Sequence, residues 1–334
     1  MRFPTSHHPL RPILTVAAAL LPLALAACGG GGGGSTTSSS TTASTTTVPS
    51  GTTLTTAQYA SGSVEAAMFS AINADRQMCG FPVYQENTLL DQAAQNHTVY
   101  MLDNGGTITD YETQGNPGFT GVTGQDRAES VGWPSGVSTA TGSGGYYTNA
   151  TLTGTQYGDA LVAGMAAGVY HQGLIVDPVS LVGFGESQTT YNGYPQVVGS
   201  VMLGQFSNIV TESQSPLTFP CQGATGLPYK NGGGETPTPP NTSGSWGTPV
   251  TVMGNPSDTI RLTSATITGP SGSVAVQILD SSTDPNHEIQ SYEGVVYPTS
   301  ALVANTQYSV TISGTVNGAS FSRNFTFTTG STIG

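Results

Sequence analysis

Apolar positions at helical spacing predict a first helix shortly after residue 60. Val64, Met68 and Ile72 lie four residues apart, so one face of this segment is apolar. Gly80 follows the pattern and Pro82 lies just beyond it, and both residue types end helices. The sequence therefore predicts an amphipathic helix that stops before Gly80.

A second helix is predicted soon after the first. Asn87 belongs to the residue types that cap helices, and Gly105 stands where the helical pattern stops. One face between them carries residues spaced three or four apart, namely Leu90, Ala94, His97 and Met101. His97 thus lies on an apolar stripe, where a histidine is more often a hydrogen-bonded core residue than a metal ligand.

The chain then passes through loops to a further helix and two strands. The predicted elements are a short helix at 126–131 capped by Asp126, an exposed loop at 134–154, a helix at 156–170, and strands at 181–184 and 195–203. The last strand is long enough to be central in a sheet. Residues 60–225 are therefore predicted to form an α+β domain, an α-β-α sandwich whose antiparallel sheet lies between helical layers.

Residues 244–334 show only strand patterns. Apolar positions alternate with polar ones around Val276 and Val310, and Asn317-Gly318 is a strong hairpin signal because both residues accept a positive φ. These features predict an all-β sandwich. The last 85 or so residues also resemble the bacterial Ig-like modules that decorate surface proteins.

Two segments of low complexity separate these regions. Residues 28–59 are rich in Gly, Ser and Thr and are predicted to be a flexible tether. Residues 226–243 are rich in Gly and then Pro, which predicts a stiffer linker between the two domains.

The N-terminus has the features of an export signal. Arg2 and Arg11 precede an apolar run at 13–27 that is short for a membrane-spanning helix, so residues 1–27 are predicted to be a signal peptide. The run ends in Leu-Ala-Ala-Cys28, which resembles a bacterial lipobox. The resemblance implies lipidation of Cys28, a membrane anchor and a cell-envelope location, with the outer membrane favoured by Gly29. Ordinary cleavage near Ala27, giving an extracellular protein, is the alternative.

The cysteines and the charge add two expectations. If Cys28 carries lipid, Cys79 and Cys221 remain as an even pair in an oxidising compartment, and we predict a disulfide between them. The formal net charge is −12 and Lys230 is the single lysine. Nucleic acid and anionic lipid headgroups are therefore poor partners.

Residues 64–206 resemble the bacterial, SCP-like branch of the CAP superfamily. The resemblance rests on motifs that occur in the family's order: Ile72-Asn73 ahead of Gly80, Leu90 to His97, Tyr170-His171 leading to Asp177-Pro178, Val182 to Gly185, and Tyr194 to Val198. The family fold that this implies is an α-β-α sandwich with a cleft.

The resemblance also implies a set of candidate site residues. The family's cavity presents two histidines and two acidic residues that can hold a divalent metal. Here His171 keeps a family-like position, Asp110 stands where relatives often have a histidine, and Glu112 is close in sequence. The family's Gly-Glu-Asn signal falls in 132–154, which has no acidic residue. His171 and Asp110 are thus the tentative ligands for zinc or calcium, and His97 and Glu112 are further cleft candidates.

Three functions follow from these expectations. The favoured one is a surface-anchored, non-catalytic lipoprotein that binds a small or apolar ligand, a glycan or a protein partner in the cleft near His171. The second is a divalent-metal-dependent extracellular hydrolase or protease, although His171 with one or two carboxylates is a thin set for zinc. The third is a structural or adhesive envelope protein.

Overall fold

Five helices and thirteen strands are found in the residues described by the computed structural model, which are 46–232, 234–242 and 244–334. The predicted signal peptide, Cys28 and the first part of the tether lie outside the described residues. The helices are α1 (Val64–Met78), α2 (Thr88–Asp103), α3 (Gly124–Ser130), α4 (Gly154–Ala167) and α5 (Gln172–Val176). None of the helices in these ranges is long and apolar enough to cross a membrane.

The strands fall into an N-terminal and a C-terminal group. The first group is β1 (Gln85–Glu86), β2 (Thr139–Tyr147), β3 (Val179–Tyr191) and β4 (Tyr194–Phe206). The second group is β5 (Leu217–Phe219), β6 (Thr225–Leu227), β7 (Val250–Met253), β8 (Ile260–Gly269), β9 (Gly272–Val274), β10 (Val276–Asp280), β11 (Glu293–Pro298), β12 (Gln307–Val316) and β13 (Ala319–Thr329). With 20% helix and 33% strand, the protein has the mixed content expected of an α+β fold joined to an all-β part.

Side-chain caps fix where the helices begin. The Asn87 side chain accepts hydrogen bonds from Leu89 N and Leu90 N, which confirms the predicted start of α2. Helix α3 begins earlier than predicted, because Thr123 and not Asp126 is its N-cap. Asp126 occupies the third helical position, where its carboxylate bonds back to Thr123 N in a capping box.

The first sheet has the order β1-β3-β4-β2, so the predicted central position of β4 is confirmed. Strands β3 and β4 form a long hairpin whose turn residues, Asn192 and Gly193, have φ of 51° and 83°. Strand β2 lies within the segment 134–154 that we predicted to be an exposed loop. That prediction was wrong, because β2 pairs with β4 along nine residues and forms the edge of the sheet.

Helices cover both faces of this sheet. Helix α2 lies so close to β3 that a Cβ at Gly183 would stand 2.1 Å from Asp91 N, and Gly185 makes a similar approach. On the opposite face, Leu161 of α4 lies against Gly144 and Gly199. The sheet thus lies between two helical layers, as the hydrophobic pattern predicted.

The C-terminal strands form two sheets that share a buried apolar cluster. Their orders are β10-β11-β7-β5 and β6-β13-β12-β8-β9. The hairpin predicted at Asn317-Gly318 is present between β12 and β13, with φ of 52° and 84° at the two turn residues. Burial alternates along β12, which confirms the predicted strand with one face towards the core.

The predicted domain boundaries need correction at three places. Strand β5, assigned to the first domain, pairs with β7 of the C-terminal half. The segment 226–243, predicted to be a free linker, begins inside β6, which pairs with β13. The last part of the predicted tether lies on the first half, where Thr53 bridges to Asn87.

The two halves are joined by buried contacts and belong to one compact unit of the described residues. The Gln172 amide donates to Pro249 O and accepts from Thr251 N at 3.0 Å. The Trp246 indole is buried, and its Nε1–H donates to Ala167 O at 2.8 Å. The sequence does not show that apolar residues of α5 face the C-terminal half. Two separate domains were therefore predicted.

The predicted disulfide between Cys79 and Cys221 is present, with a sequence separation of 142 residues. Its structural role differs from the prediction. Cys79 ends α1, whereas Cys221 directly follows β5. The bond therefore connects the helical half to the C-terminal sheets instead of closing a loop within one domain.

Candidate binding groove

His171 is held by a carboxylate from the segment that was predicted to be a linker. His171 Nδ1 lies 2.6 Å from Glu235 Oε1, and the carboxylate must accept this hydrogen bond. The Glu235 side chain is almost fully buried, while the His171 side chain keeps 22% of its surface exposed. In residues 46–232, 234–242 and 244–334, no hydrogen bond to His171 Nε2 is found.

The same carboxylate shapes the backbone before His171. Its two oxygens accept hydrogen bonds from Val169 N, Tyr170 N and His171 N at 2.8, 2.9 and 3.0 Å. These amides lie between α4 and α5, and His171 is the N-cap of α5, where helix geometry leaves the N–H without an intrahelical partner. Glu235 therefore fixes both the imidazole ring and the turn that carries it.

The charges around His171 favour its protonated form. Burial lowers the pKa of the imidazole, but the hydrogen bond that the ring donates to Glu235, the charge of Glu235, and the charges of Asp110 and Glu288 together raise that pKa above its usual value. Asp110, Glu235 and Glu288 all line the groove beside His171. His171 thus lies beside three carboxylates, and the acidic groove favours cationic ligand groups.

Asp110 lies at this groove, as the resemblance implied. Its backbone oxygen accepts a hydrogen bond from Arg127 at 2.9 Å. Its Oδ1 is buried and has no hydrogen-bond partner within the described residues. A buried oxygen in this state can accept a donor from a ligand or a water.

The structure does not bring His97 and Glu112 into the groove. Both are buried, and His97 Nδ1 lies 2.9 Å from Glu112 Oε1 while Nε2 lies 2.7 Å from Thr109 O. The other Glu112 oxygen accepts from Thr120 N and Gly121 N. Because both ring nitrogens of His97 and both oxygens of Glu112 have hydrogen-bond partners, these residues have the geometry of a hydrogen-bonded core network.

The implied metal does not fit the residues present. No group of three or more His, Cys, Asp or Glu side chains that could hold a metal ion occurs in the described part of the chain. The Glu235 carboxylate next to His171 is already occupied by four hydrogen bonds. The tentative His171 and Asp110 pair is therefore too small a ligand set for zinc or calcium.

The groove runs along the edge strand β2 and has an apolar hollow beneath His171. Eight of the nine β2 residues line the groove. The hollow encloses about 20 Å³, which is room for roughly one small group. It is lined by small or apolar residues next to His171: Met68, Gly142, Gly144, Leu161, Met165, Leu174, Gly199 and Val201. Two of them are methionines, whose flexible side chains adapt to an incoming group.

The sequence did not reveal the acidic side of the groove. Glu235 stands in a Gly/Pro-rich segment that was predicted to be a spacer, and Glu288 stands in a polar loop. Glu293, which also lines the groove, lies in a strand and is buried with its Oε1 unpartnered among the described residues. The one signal for Glu235 was its occurrence as a single glutamate within a predicted spacer. No feature of the nearby sequence linked it to His171.

The chain was compared with models of known protein families and with curated proteins, and neither comparison finds a match.

Proposed function

We propose that the protein is an envelope-anchored binding protein of the CAP-like type, without catalytic activity, that binds a ligand in the groove at His171. The observation that carries this proposal is the position of His171, which is partly exposed and bonded to the buried Glu235, above an apolar hollow and beside Asp110 and Glu288. Such a combination of convergent polar groups and apolar surface is typical of ligand sites.

The CAP-like and Ig-like assignments are supported by layer order and motif position. The sheet between helical layers agrees with the family fold, and His171 follows Tyr170 directly after α4. The two C-terminal sheets and their hairpin agree with an Ig-like module. Anchoring through Cys28 is part of the proposal, and mass spectrometry of the mature N-terminal peptide tests it: an acylated Cys28 supports the anchor, and a free N-terminus elsewhere refutes it.

The groove's chemistry defines the ligand class as a small apolar group combined with a positive charge. Three probes with the same tail test this: hexylammonium, hexanol and hexanoate. We expect the affinity to fall in that order, because the carboxylates attract the ammonium and repel the carboxylate. The imidazole resonances of His171 in an NMR titration report the binding site directly.

Two variants separate the apolar from the charged contribution. At Gly144 an added Cβ would meet only Leu161 Cδ2, at 3.9 Å, so Gly144→Val fills the hollow without displacing backbone and should weaken all three probes. Glu288→Gln should weaken hexylammonium alone. Ser309→Val, at an exposed site on β12, is the matched control. If none of the probes shifts the His171 resonances, the proposed function is wrong.

A further inference from the structure

The outer edge of β2 is an unpaired strand edge inside the groove. The sheet order places β2 at the end of the sheet, with β4 on its inner side. Within the described residues no second strand pairs with its outer side. An edge of this kind presents a row of backbone donors and acceptors to any extended chain that reaches it.

The hairpin register shows which β2 residues face outwards. Tyr191 and Tyr194 flank a two-residue turn and therefore bond to each other, so even-numbered residues of β4 direct their backbone groups to β3. Odd-numbered residues of β4 then bond to β2, where Val201 faces Gly142 and Gly199 faces Gly144. The backbone N–H and C=O groups of the odd-numbered residues of β2 therefore point away from β4, towards the open edge of the sheet.

One contact agrees with this assignment. The N–H of Thr139, an odd-numbered residue, is directed away from β4 and donates to Gln125 Oε1 at 3.0 Å. The outward backbone groups that follow it belong to Thr141, Ser143, Gly145 and Tyr147. None of these four N–H groups has a hydrogen-bond partner in the ranges that the structure describes.

The composition of β2 leaves this edge open to another chain. Its sequence, Thr-Ala-Thr-Gly-Ser-Gly-Gly-Tyr-Tyr, contains no charged residue and no proline. Charged residues and prolines are the residues with which proteins ordinarily protect their sheet edges. Gly142, Gly144 and Gly145 also have no side chains that would obstruct the space beside the strand.

The walls beside the edge define the chain that fits. On one face of β2, Ile108 lies over Gly145, and Asp110 follows two residues later. On the other face, His171 and Leu174 lie against Gly142, beside the apolar hollow. An added strand would send alternate side chains to these two faces. One set would meet Asp110, and the other would meet the apolar hollow.

We propose that the ligand of this groove is an extended, cationic polypeptide segment that adds to the sheet as a strand beside β2. This inference rests on the proposed function and names its ligand class. Backbone hydrogen bonds to the odd-numbered residues supply the binding, and the acidic wall selects basic side chains. A second copy of this chain is disfavoured as occupant, because its own groove is acidic and the net charge is −12.

The test uses N-methylated peptides and the full chain produced in an oxidising compartment. The probe is an acetylated and amidated eight-residue peptide of alternating lysine and valine, one residue shorter than the 9 residues of β2. Two isomers carry N-methyl groups on alternate residues, one at the lysines and one at the valines. Each isomer removes the donors of one peptide edge and keeps the charge and the side chains.

We expect the parent peptide to bind and one isomer to lose at least about tenfold in affinity, while the other stays within about threefold. Glutamate in place of lysine should abolish binding. Equal binding of the parent and both isomers would overturn strand addition, and so would a lack of binding by all peptides. Self-association of the protein through β2, seen by sedimentation and removed by Ser143→Pro, which lacks the outward N–H, would also overturn the peptide as occupant.

The two proposals fail differently. If hexylammonium shifts the His171 resonances but the N-methylated isomers bind equally, the groove binds cations and the strand edge is not used. If neither hexylammonium nor any peptide binds, the proposed function itself is wrong.

Discussion

Glu235 and His171 are 64 residues apart in sequence, yet the carboxylate of one accepts hydrogen bonds from the ring and the backbone of the other. The ring bond measures 2.6 Å and the backbone bond 3.0 Å. The groove's only described histidine is therefore positioned by a residue outside the helical half of the chain.

Glu235→Gln should lower the pKa of His171. The amide keeps the shape of the side chain but removes the negative charge that raises this pKa. The folded-state pKa of His171 lies above its unfolded value, so its protonation stabilises the protein below about pH 6.5. This stability is lost as the pH rises through the folded-state pKa. The variant should therefore lose most stability in mildly acidic solution. We expect a loss of about 2 kcal/mol there.

NMR titration of the His171 ring and denaturant unfolding at two pH values measure both effects. Glu212→Gln, an exposed substitution, is the control. An unchanged His171 pKa in Glu235→Gln would contradict the role assigned to Glu235.

Stability should fall as the pH rises from about 5 to about 8, because of buried carboxyl groups between the two halves. Burial raises the pKa of Glu293 to about 8, and burial raises that of Asp177 to about 7. The native state therefore holds more protons than the unfolded state in this range, and each proton lost on raising the pH costs stability.

Glu293→Gln isolates this effect. The glutamine keeps the volume next to Gly173 and has no charge to bury, so at pH 8 it should be more stable than the parent by about 2 kcal/mol. At pH 5 the two should be nearly equal. Chemical unfolding at both pH values gives the comparison, and a variant that is destabilised equally at both would refute the argument.

Removing the disulfide should destabilise the protein strongly. The Cys79–Cys221 bond spans 142 residues, for which the chain-entropy relation gives about 4–5 kcal/mol. Denaturant unfolding of the Cys79→Ser/Cys221→Ser variant measures the loss. The parent unfolded in the presence of a reductant should match the variant, and a difference of less than about 1 kcal/mol between variant and oxidised parent would show that the bond constrains little.

Heat should unfold both halves in one transition, because Trp246 and Gln172 join them through buried contacts. Trp246→Ala should separate the calorimetric peak into two and expose the segment 226–242 to proteolysis. Removal of a buried tryptophan costs about 3–5 kcal/mol. Two peaks in the unaltered protein would mean that the interface contributes little to stability.

Sequence patterns predicted the elements whose signals are local. The cap at Asn87, the turn at Asn317-Gly318 and the long central β4 depend on nearby residues, and all three are present. The disulfide was predictable because only two cysteines follow Cys28 in the sequence.

The missed features depend on partners that are distant in sequence. Strand β2 has no apolar alternation, because Gly142 is required by the close approach of Leu174 and Gly145 by that of Ile108, so it resembles a loop until β4 is beside it. Glu235 lies in a segment with linker composition, and its role appears only when the chain returns to α4. The packing of the two halves was missed for the same reason.

The segment that carries Glu235 also sets a limit on how this protein can be divided. A fragment that stops at residue 225 would contain His171 and β2 but would leave Val169 N, Tyr170 N and the imidazole without their acceptor. The C-terminal half alone would contain the Glu235 carboxylate without the N–H groups that donate to it. Recombination that exchanges one half for that of another protein would therefore disrupt the groove even when both halves fold, because the groove is built at the junction between them.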